Sequence, residues 1–289
     1  MRRVLVLGGT GMLGQMVTSE LSKSPSLAVT ATRRRPASDP FLFDVESGVD
    51  RLDDLLTRGG GAEYVVNCIA VLKPGIDKRD SASVRRAVVV NALFPHQLAS
   101  AAAKHGARVI HVSTDGVFSG GSAQPYDEGA GTDCLDVYGK TKALGEVPGP
   151  HWLNIRCSIV GPDPEGRKGL LEWFLSRPKG SELSGYTDQM WTGVTTRQFA
   201  ELCGKLIAEN RFDAVAEEST VHHWCPNRAV SKFELLEIFK EVTGREVTIT
   251  PARLLGSSAG RILATRYAGL RGLMGEGLDI RDAIVQLLH

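Results

Sequence analysis

Two residues carry the first chemical suggestion in this chain. In "DVYGKTKALGE" (136–146), Tyr138 is followed four positions later by Lys142. On a helix, residues four apart share a face and residues two apart do not. Lys142 therefore stands beside Tyr138, whereas Lys140 faces elsewhere as a solvated side chain. A free tyrosine keeps its proton until about pH 10. A neighbouring ammonium stabilises phenolate and is expected to lower that value towards working pH. The pair is thus a candidate acid–base device, with Lys142 also able to hold the ribose hydroxyls of a nicotinamide cofactor.

A second group lies at the start. "VLVLGGTGMLG" puts Gly8, Gly11 and Gly14 at G-x-x-G-x-x-G spacing, after a strand and opening a helix. Glycines let backbone approach a pyrophosphate, and a helix N-terminus supplies unpaired N–H groups. Thr10, Met12 and Leu13 within this loop are the accompanying cofactor contacts. The second strand of such a unit ordinarily ends in an acid that binds the ribose 2′-hydroxyl. Here "ATRRRP" offers Arg33, Arg34 and Arg35 instead. Guanidinium groups pair with a 2′-phosphate that a carboxylate would repel, so NADPH is favoured over NADH, with Arg33 and Arg34 as contacts. Asp44 could accept from the adenine amino group, or cap a turn.

Those residues need a scaffold. Short apolar runs at 3–8, 27–32, 63–70, 108–114 and 151–158 alternate with helical patterns, the longest over 83–106. This alternation predicts an α/β, Rossmann-type, doubly wound parallel sheet. Residues 1–160 would form the NADP-binding part carrying the Tyr/Lys helix. Residues 161–289 would be a smaller, mainly substrate-binding α/β part, resembling a lid, whose chain could cross back to the main sheet. Helices are expected at 195–210, 231–244 and 279–288, and a strand at 246–251.

Bulk properties narrow the field. The 289 residues carry a formal net charge of +1, with 42% hydrophobic and 23% charged residues. That balance gives no reason to expect nucleic acid or an anionic membrane as partner. Glycines interrupt the N-terminal apolar run too soon for a secretory signal, and no later run is long enough for a membrane span. Cysteines 68, 134, 157, 203 and 225 are scattered, as in a reduced cytoplasmic protein. A homodimer is compatible with the sequence but not specified by it.

Y-x-x-x-K downstream of a strand ending in "STD" (113–115), on a sheet opened by the glycine loop, resembles the extended short-chain dehydrogenase/reductase superfamily. Within it, "VSTDGVFSG", "PYDE" and "YGKTKALGE" are similar to the dTDP-4-dehydrorhamnose reductase branch. The resemblance is strongest up to residue 160, and "GYTDQMWTGVTTRQFAEL" (185–202) still fits the branch's substrate-side loop and following helix. It implies NADPH-dependent reduction of a nucleotide-activated 4-keto-6-deoxy sugar, with Tyr138 as proton donor.

The resemblance also implies roles by position. Thr114 would hydrogen-bond the substrate carbonyl beside Tyr138, and Asp115 would orient the sugar or the proton network. Asn91 would hold a helix kink and a water near Lys142, on the cofactor side. Cys68, Ile69 and Ala70 would line the adenosine side, and Ser158, in "CSIVGP", would pass beside the nicotinamide. Val71, Phe118, Gln189, Trp191 and Arg261 would face the substrate. Two positions depart from the branch. Gly116 stands where an aromatic is usual and Ile159 where tryptophan is usual, which would remove surface next to the sugar. Met190 and Trp191 could refill it, although Trp191 could equally be core.

Other readings compete. A sugar-nucleotide epimerase or dehydratase shares the fold, though a dehydratase tends to add an acidic pair where "STDG" has one acid. A non-catalytic NADP-binding regulatory subunit is the third alternative. "HHWC" (222–225) invites a metal, but strand neighbours point to opposite faces, so no metal site is expected. His105, before a glycine at a helix end, is explained by a cation–dipole contact. Arg261 could pair with a diphosphate or form a surface ion pair.

Overall fold

Valine-, isoleucine- and leucine-rich segments alternate with amphipathic helices from the first residues onward. The computed structural model describes residues 1–35, 38–254 and 260–289. In order, the first half contains β1 (Arg2–Leu7), α1 (Met12–Ser22), β2 (Leu27–Ala31), α2 (Leu52–Thr57), β3 (Tyr64–Asn67), α3 (Ser81–Ala87), α4 (Phe94–Lys104), β4 (Arg108–Val112), α5 (Val137–Leu144) and β5 (Trp152–Arg156). The helix expected over 83–106 is not uniform. A π-helical stretch, Val88–Leu93, joins α3 to α4 and contains Asn91.

The second half is more broken. It contains β6 (Ile159–Val160), α6 (Leu170–Leu175), β7 (Glu182–Tyr186), β8 (Met190–Trp191), β9 (Val194–Thr195), α7 (Thr196–Ala208), α8 (Phe212–Glu218) and β10 (Val221–His223). It ends with β11 (Val230–Ser231), α9 (Lys232–Thr243), β12 (Thr248–Ala252), β13 (Gly260–Arg261), α10 (Ala268–Met274) and α11 (Ile280–Leu288). Both long helices here start at reciprocal capping boxes, Thr195 with Gln198 and Ser231 with Glu234. Each box satisfies two otherwise orphaned backbone donors.

The main sheet has six strands in the order β10-β5-β4-β3-β1-β2, all parallel. Alternate residues of each strand enter opposite faces. Val4, Val6, Val66 and Ile110 pack with Leu13 and Val17 of α1 and Phe199 and Leu206 of α7. Leu5, Leu7, Val65 and Val109 pack with Leu52 of α2 and Phe94 and Leu98 of α4. Full burial of one such Leu or Phe contributes about 1.5–3 kcal/mol. A third cluster, including Phe174, Leu235, Phe239 and Ile284, forms the core of the smaller part.

The crossing back of the chain is extensive. β10 pairs with β5 as the sixth strand, and α7 lies along α1. Residues 194–223 therefore belong to the main layers, and the smaller part is built from segments on either side of them. No helix of the described residues is long and apolar enough to cross a membrane.

Candidate active site

The strand order reverses between β1 and β3, which is where open α/β sheets hold ligands. The glycine loop lies at this point. Gly8 adopts φ +81°, a conformation that favours glycine. A Cβ on Gly14 would stand 2.1 Å from the Gly8 carbonyl oxygen, so α1 can approach the loop only without one. Gly8 N–H donates to Thr32 Oγ1 at 2.9 Å, and Gln15 Nε2 to Thr10 O at 2.6 Å. No side chain caps α1 at Gly11, so the first-turn N–H groups of Met12 and Leu13 keep their capacity for an anion. Across the crevice, Ile69 lies 3.0 Å from where a Gly8 Cβ would be, beside Cys68 and Ala70. The loop and crevice fit a dinucleotide.

The arginines differ from one another. Arg33 Nη1 is paired with Asp39 at 3.3 Å, an acid the strand end itself does not supply. Arg34 is exposed and forms no ion pair among the described residues. Asp44 caps the short turn Val45–Ser47, accepting from Glu46 N–H at 3.0 Å; the capping alternative is the one the fold adopts.

Tyr138 and Lys142 sit on α5, which Asp136 caps by accepting from Gly139 N–H at 2.8 Å. Lys73 holds the other Asp136 oxygen at 2.8 Å. A Cβ on Gly139 would meet the Gly116 carbonyl oxygen at 2.1 Å and Cys134 Sγ at 2.7 Å. This glycine lets the helix come down on the 115–117 turn, and a Cβ on Gly116 would stand 3.1 Å from Tyr138 Cε1. Thr114 accepts from Gly116 N–H at 3.0 Å and donates to Asp115 Oδ1 at 3.2 Å. The Thr114 hydroxyl also acts on the Tyr138 phenol, favouring its ionised form. Phenol, hydroxyl and carboxylate are thereby brought together.

The expected acidification of the phenol is not what the fold produces. Burial pushes Tyr138 up to about 12; the Thr114 hydroxyl opposes this, and Asp115, Cys157 and Asp136 add to it. Lys142 is 2% exposed. Its Nζ donates to Val112 O at 2.6 Å and lies 3.3 Å from His111 Nε2. Burial brings it down to about 8, against the pull of Glu146. Desolvation outweighs the pairwise charge effect that spacing alone suggests.

The other expected residues are placed as follows. Asn91 is fully engaged with its own chain. It accepts from Val71 N–H at 2.8 Å and donates to Val71 O at 2.9 Å and Thr141 Oγ1 at 3.3 Å. It secures the loop after β3 to α5 from within the π-helical interruption of its own helix. Val71 is correspondingly buried. The Phe118 ring is fully buried, stacked on Tyr126 at 4.3 Å with Arg156 over it at 5.3 Å, so only its backbone is near the site. Trp191 is 3% exposed, consistent with the core alternative. Ser158 accepts from Val194 N–H at 2.8 Å, tying β6 to β9. Ile159 is half-buried there.

Gln189 O accepts from Lys232 N–H at 2.9 Å, and Arg261 Nε donates to Phe118 O at 2.6 Å. Asp115 is raised above its usual range by burial, against the pull of Arg261 and Lys232. Spacing in the sequence does not mark His111 or Lys232. His111 is a lone histidine inside a strand, and Lys232 has the pattern of an ordinary lysine at a helix start. His222 and His223 take separate partners, Val215 and Ser219 carbonyls for one and Tyr126 and Ala264 carbonyls for the other. Among the described residues, no group of three or more candidate ligands could hold a metal ion. His105 pairs with Asp53 at 2.9 Å.

Comparison with known proteins bears on this site. The chain is 33% identical over 243 residues to methionine adenosyltransferase 2 subunit beta of Xenopus laevis, covering 81% of this chain and 70% of that protein. It is 36% identical over 148 residues to dTDP-4-dehydrorhamnose reductase of Streptomyces griseus, covering 50% of this chain and 43% of that protein. Its fold matches a solved dTDP-4-dehydrorhamnose reductase of Bacillus anthracis in complex with NADP. There the TM-score is 0.80, with 19% identity over 100% of this chain and 99% of that one. The family model described as RmlD substrate binding domain matches residues 1–258. With the sheet, the glycine loop and the Tyr138–Lys142 helix in place, the chain belongs to the RmlD substrate-binding-domain family.

Proposed function

We propose that this protein is an NADP-dependent oxidoreductase that reduces the ketone of a nucleotide-activated 4-keto-6-deoxy sugar. The observation that carries the reading is the packing of Tyr138 against the turn that carries Thr114 and Asp115, on a fold that also holds the glycine loop. NADPH, when bound, supplies the hydride that goes to the carbonyl carbon. Gly8, Gly11 and Gly14 let the loop approach its pyrophosphate, and Arg34, with Arg33, favours its 2′-phosphate. Thr114 hydrogen-bonds the carbonyl oxygen, and Tyr138 donates the proton that oxygen takes up. A phenol held at about 12 is protonated at neutral pH, which is the form a donor needs. Such positioned donation contributes about 10²–10⁴-fold. Lys142 lies one turn beyond, available to ribose hydroxyls if it exchanges its Val112 contact. The five unpaired cysteines accord with a reducing cytoplasmic setting.

The test is NADPH oxidation against dTDP-, UDP- and GDP-linked 4-keto-6-deoxy sugars, with and without Tyr138→Phe. Turnover with one of them that collapses in the variant supports the reading. Sugar interconversion with no net NADPH consumption would favour an epimerase instead.

A regulatory role is the second reading. It is favoured by the 33% identity to a methionine adenosyltransferase subunit. The engagement of Lys142 by Val112 and His111 is compatible with it. Stable NADP binding with no turnover across the panel would select it.

A further inference from the structure

One cation near the reaction centre has no role in the scheme above. Lys232 is the first residue of α9, and its backbone is fixed by Ser231 and Glu234 through the capping box. Its ammonium lies over the Trp191 ring at 4.7 Å. Among the described residues that ammonium has neither a hydrogen-bond acceptor nor an ion pair. The Trp191 face is the one group in contact, among the described residues, that favours the cation. A helix N-terminus prefers negative charge, and burial disfavours the ammonium further.

A second cation faces the same space. Arg261 pairs with Trp191 across the β13–β8 register and is held through Nε by the Phe118 carbonyl. Three acids lie in its field: Asp115, Asp133 and Asp136. Asp133 is bonded to Ser119 at 2.6 Å through both oxygens. Asp136 serves Gly139 and Lys73. Asp115 remains, and it is the only acid that acts on Lys232 among the groups shaping its charge. Neither cation closes an ion pair with it. The cleft wall therefore presents two cations and a helix N-terminus against one carboxylate, which is already bonded to Thr114.

We infer that Lys232, with Arg261, forms a subsite for a carboxylate on the sugar ring, so that the preferred substrate is a nucleotide-linked uronic acid derivative. This rests on the nucleotide-sugar reading and replaces its 6-deoxy part, because a uronic acid bears a carboxylate on the carbon that a 6-deoxy sugar carries as methyl. A sugar carboxylate is favoured over the nucleotide diphosphate because the two cations share Asp115, and Asp115 touches Thr114. Arg261 is held at Phe118, directly after the 115–117 turn that carries Asp115, which puts the pair on the Thr114 side in this reading. The carboxylate would replace water as the acceptor for the partly buried Lys232 ammonium.

Calorimetric titration of the NADP-loaded protein tests this, using UDP-glucuronate against UDP-glucose and the corresponding dTDP-linked pair. The expected result is about tenfold or greater preference for the uronate, reduced to about threefold or less in Lys232→Met and kept in Lys232→Arg. Unchanged NADP affinity in both variants shows that the fold is intact. Equal weakening of both sugars in Lys232→Met would mean that the cations read the diphosphate, and would overturn the inference. So would a wild-type protein indifferent to the carboxylate, a comparison that needs no variant. If the protein binds NADP but none of the four nucleotide sugars, the nucleotide-sugar reading itself fails.

Discussion

His111 Nε2 and Lys142 Nζ lie 3.3 Å apart, both sealed from solvent. The partners behind them fix which atom carries hydrogen. Ile69 N–H donates to Asn67 Oδ1 at 3.2 Å, so the Asn67 amide N–H points at His111 Nδ1, 3.0 Å away. A neutral His111 accepting there must carry its proton on Nε2. It then faces Lys142 as a donor and is best matched by a lone pair on a neutral amine. Burial holds His111 well below its ordinary value and Lys142 down to about 8.

The first prediction concerns stability against pH. Lys142 has a folded value of about 8 against 10.5 when free. Between these the unfolded chain binds the extra proton, so stability rises with pH; the contribution is lost as pH falls through about 8. Tyr138 titrates later, its contribution present below pH 10 and lost towards about 12. Lys232 shares the window, also at about 8. Urea unfolding from pH 8 to 10 should show Lys142→Met gaining about 2–3 kcal/mol less than wild type over that range. Parallel curves would contradict it.

Loss of the phenolic hydroxyl should separate binding from chemistry. Tyr138→Phe is expected to lower kcat about a hundredfold or more, with NADPH affinity within about twofold of wild type. Both are read by steady-state kinetics and cofactor fluorescence titration. Near-normal turnover would remove Tyr138 from the reaction.

Gly139→Ala should perturb the site through backbone alone. Its Cβ would lie 2.1 Å from the Gly116 carbonyl, so α5 must lift from the 115–117 turn. A destabilisation of about 1–3 kcal/mol is expected, with a fall in kcat as Tyr138 moves from Thr114. Thermal unfolding and turnover measure the two effects; a fully stable, fully active variant would argue against this tight approach.

The arginines should prove unequal. Arg34→Ala is expected to weaken NADPH by about tenfold while leaving NADH within about twofold. Arg33→Ala should do less, because Arg33 is already paired with Asp39. Equal losses for both cofactors would show that neither arginine meets the 2′-phosphate.

The glycine loop, the first five strands and the Tyr138 helix were legible because each couples a strong period to a punctuating residue type. The strand at His222 and His223 could be read locally, but not its place: only the structure shows it pairing with β5 as the sixth strand of the main sheet. β7 was hidden in a Gly/Ser-rich run that reads as loop, and parallel pairing with β12 supplies its order. Spacing put Lys142 one turn from Tyr138 on α5, but sequence shows neighbours and not depth, and burial moves the phenol the other way. Asp39, which returns to Arg33 across the turn after β2, escaped for the same reason. Lys232 has the sequence context of a solvated helix-start lysine, and only the fold sets it over Trp191.

The outermost rung of the main sheet is delivered late. β5 is complete at Arg156, yet β10, which covers its free edge, begins only at Val221. A chain growing from its N-terminus must therefore hold that edge bare while the intervening segment is synthesised. The six-stranded sheet cannot be completed before residue 223 is made, and a protein cut off near residue 160 would leave an unprotected strand open to pairing with its neighbours.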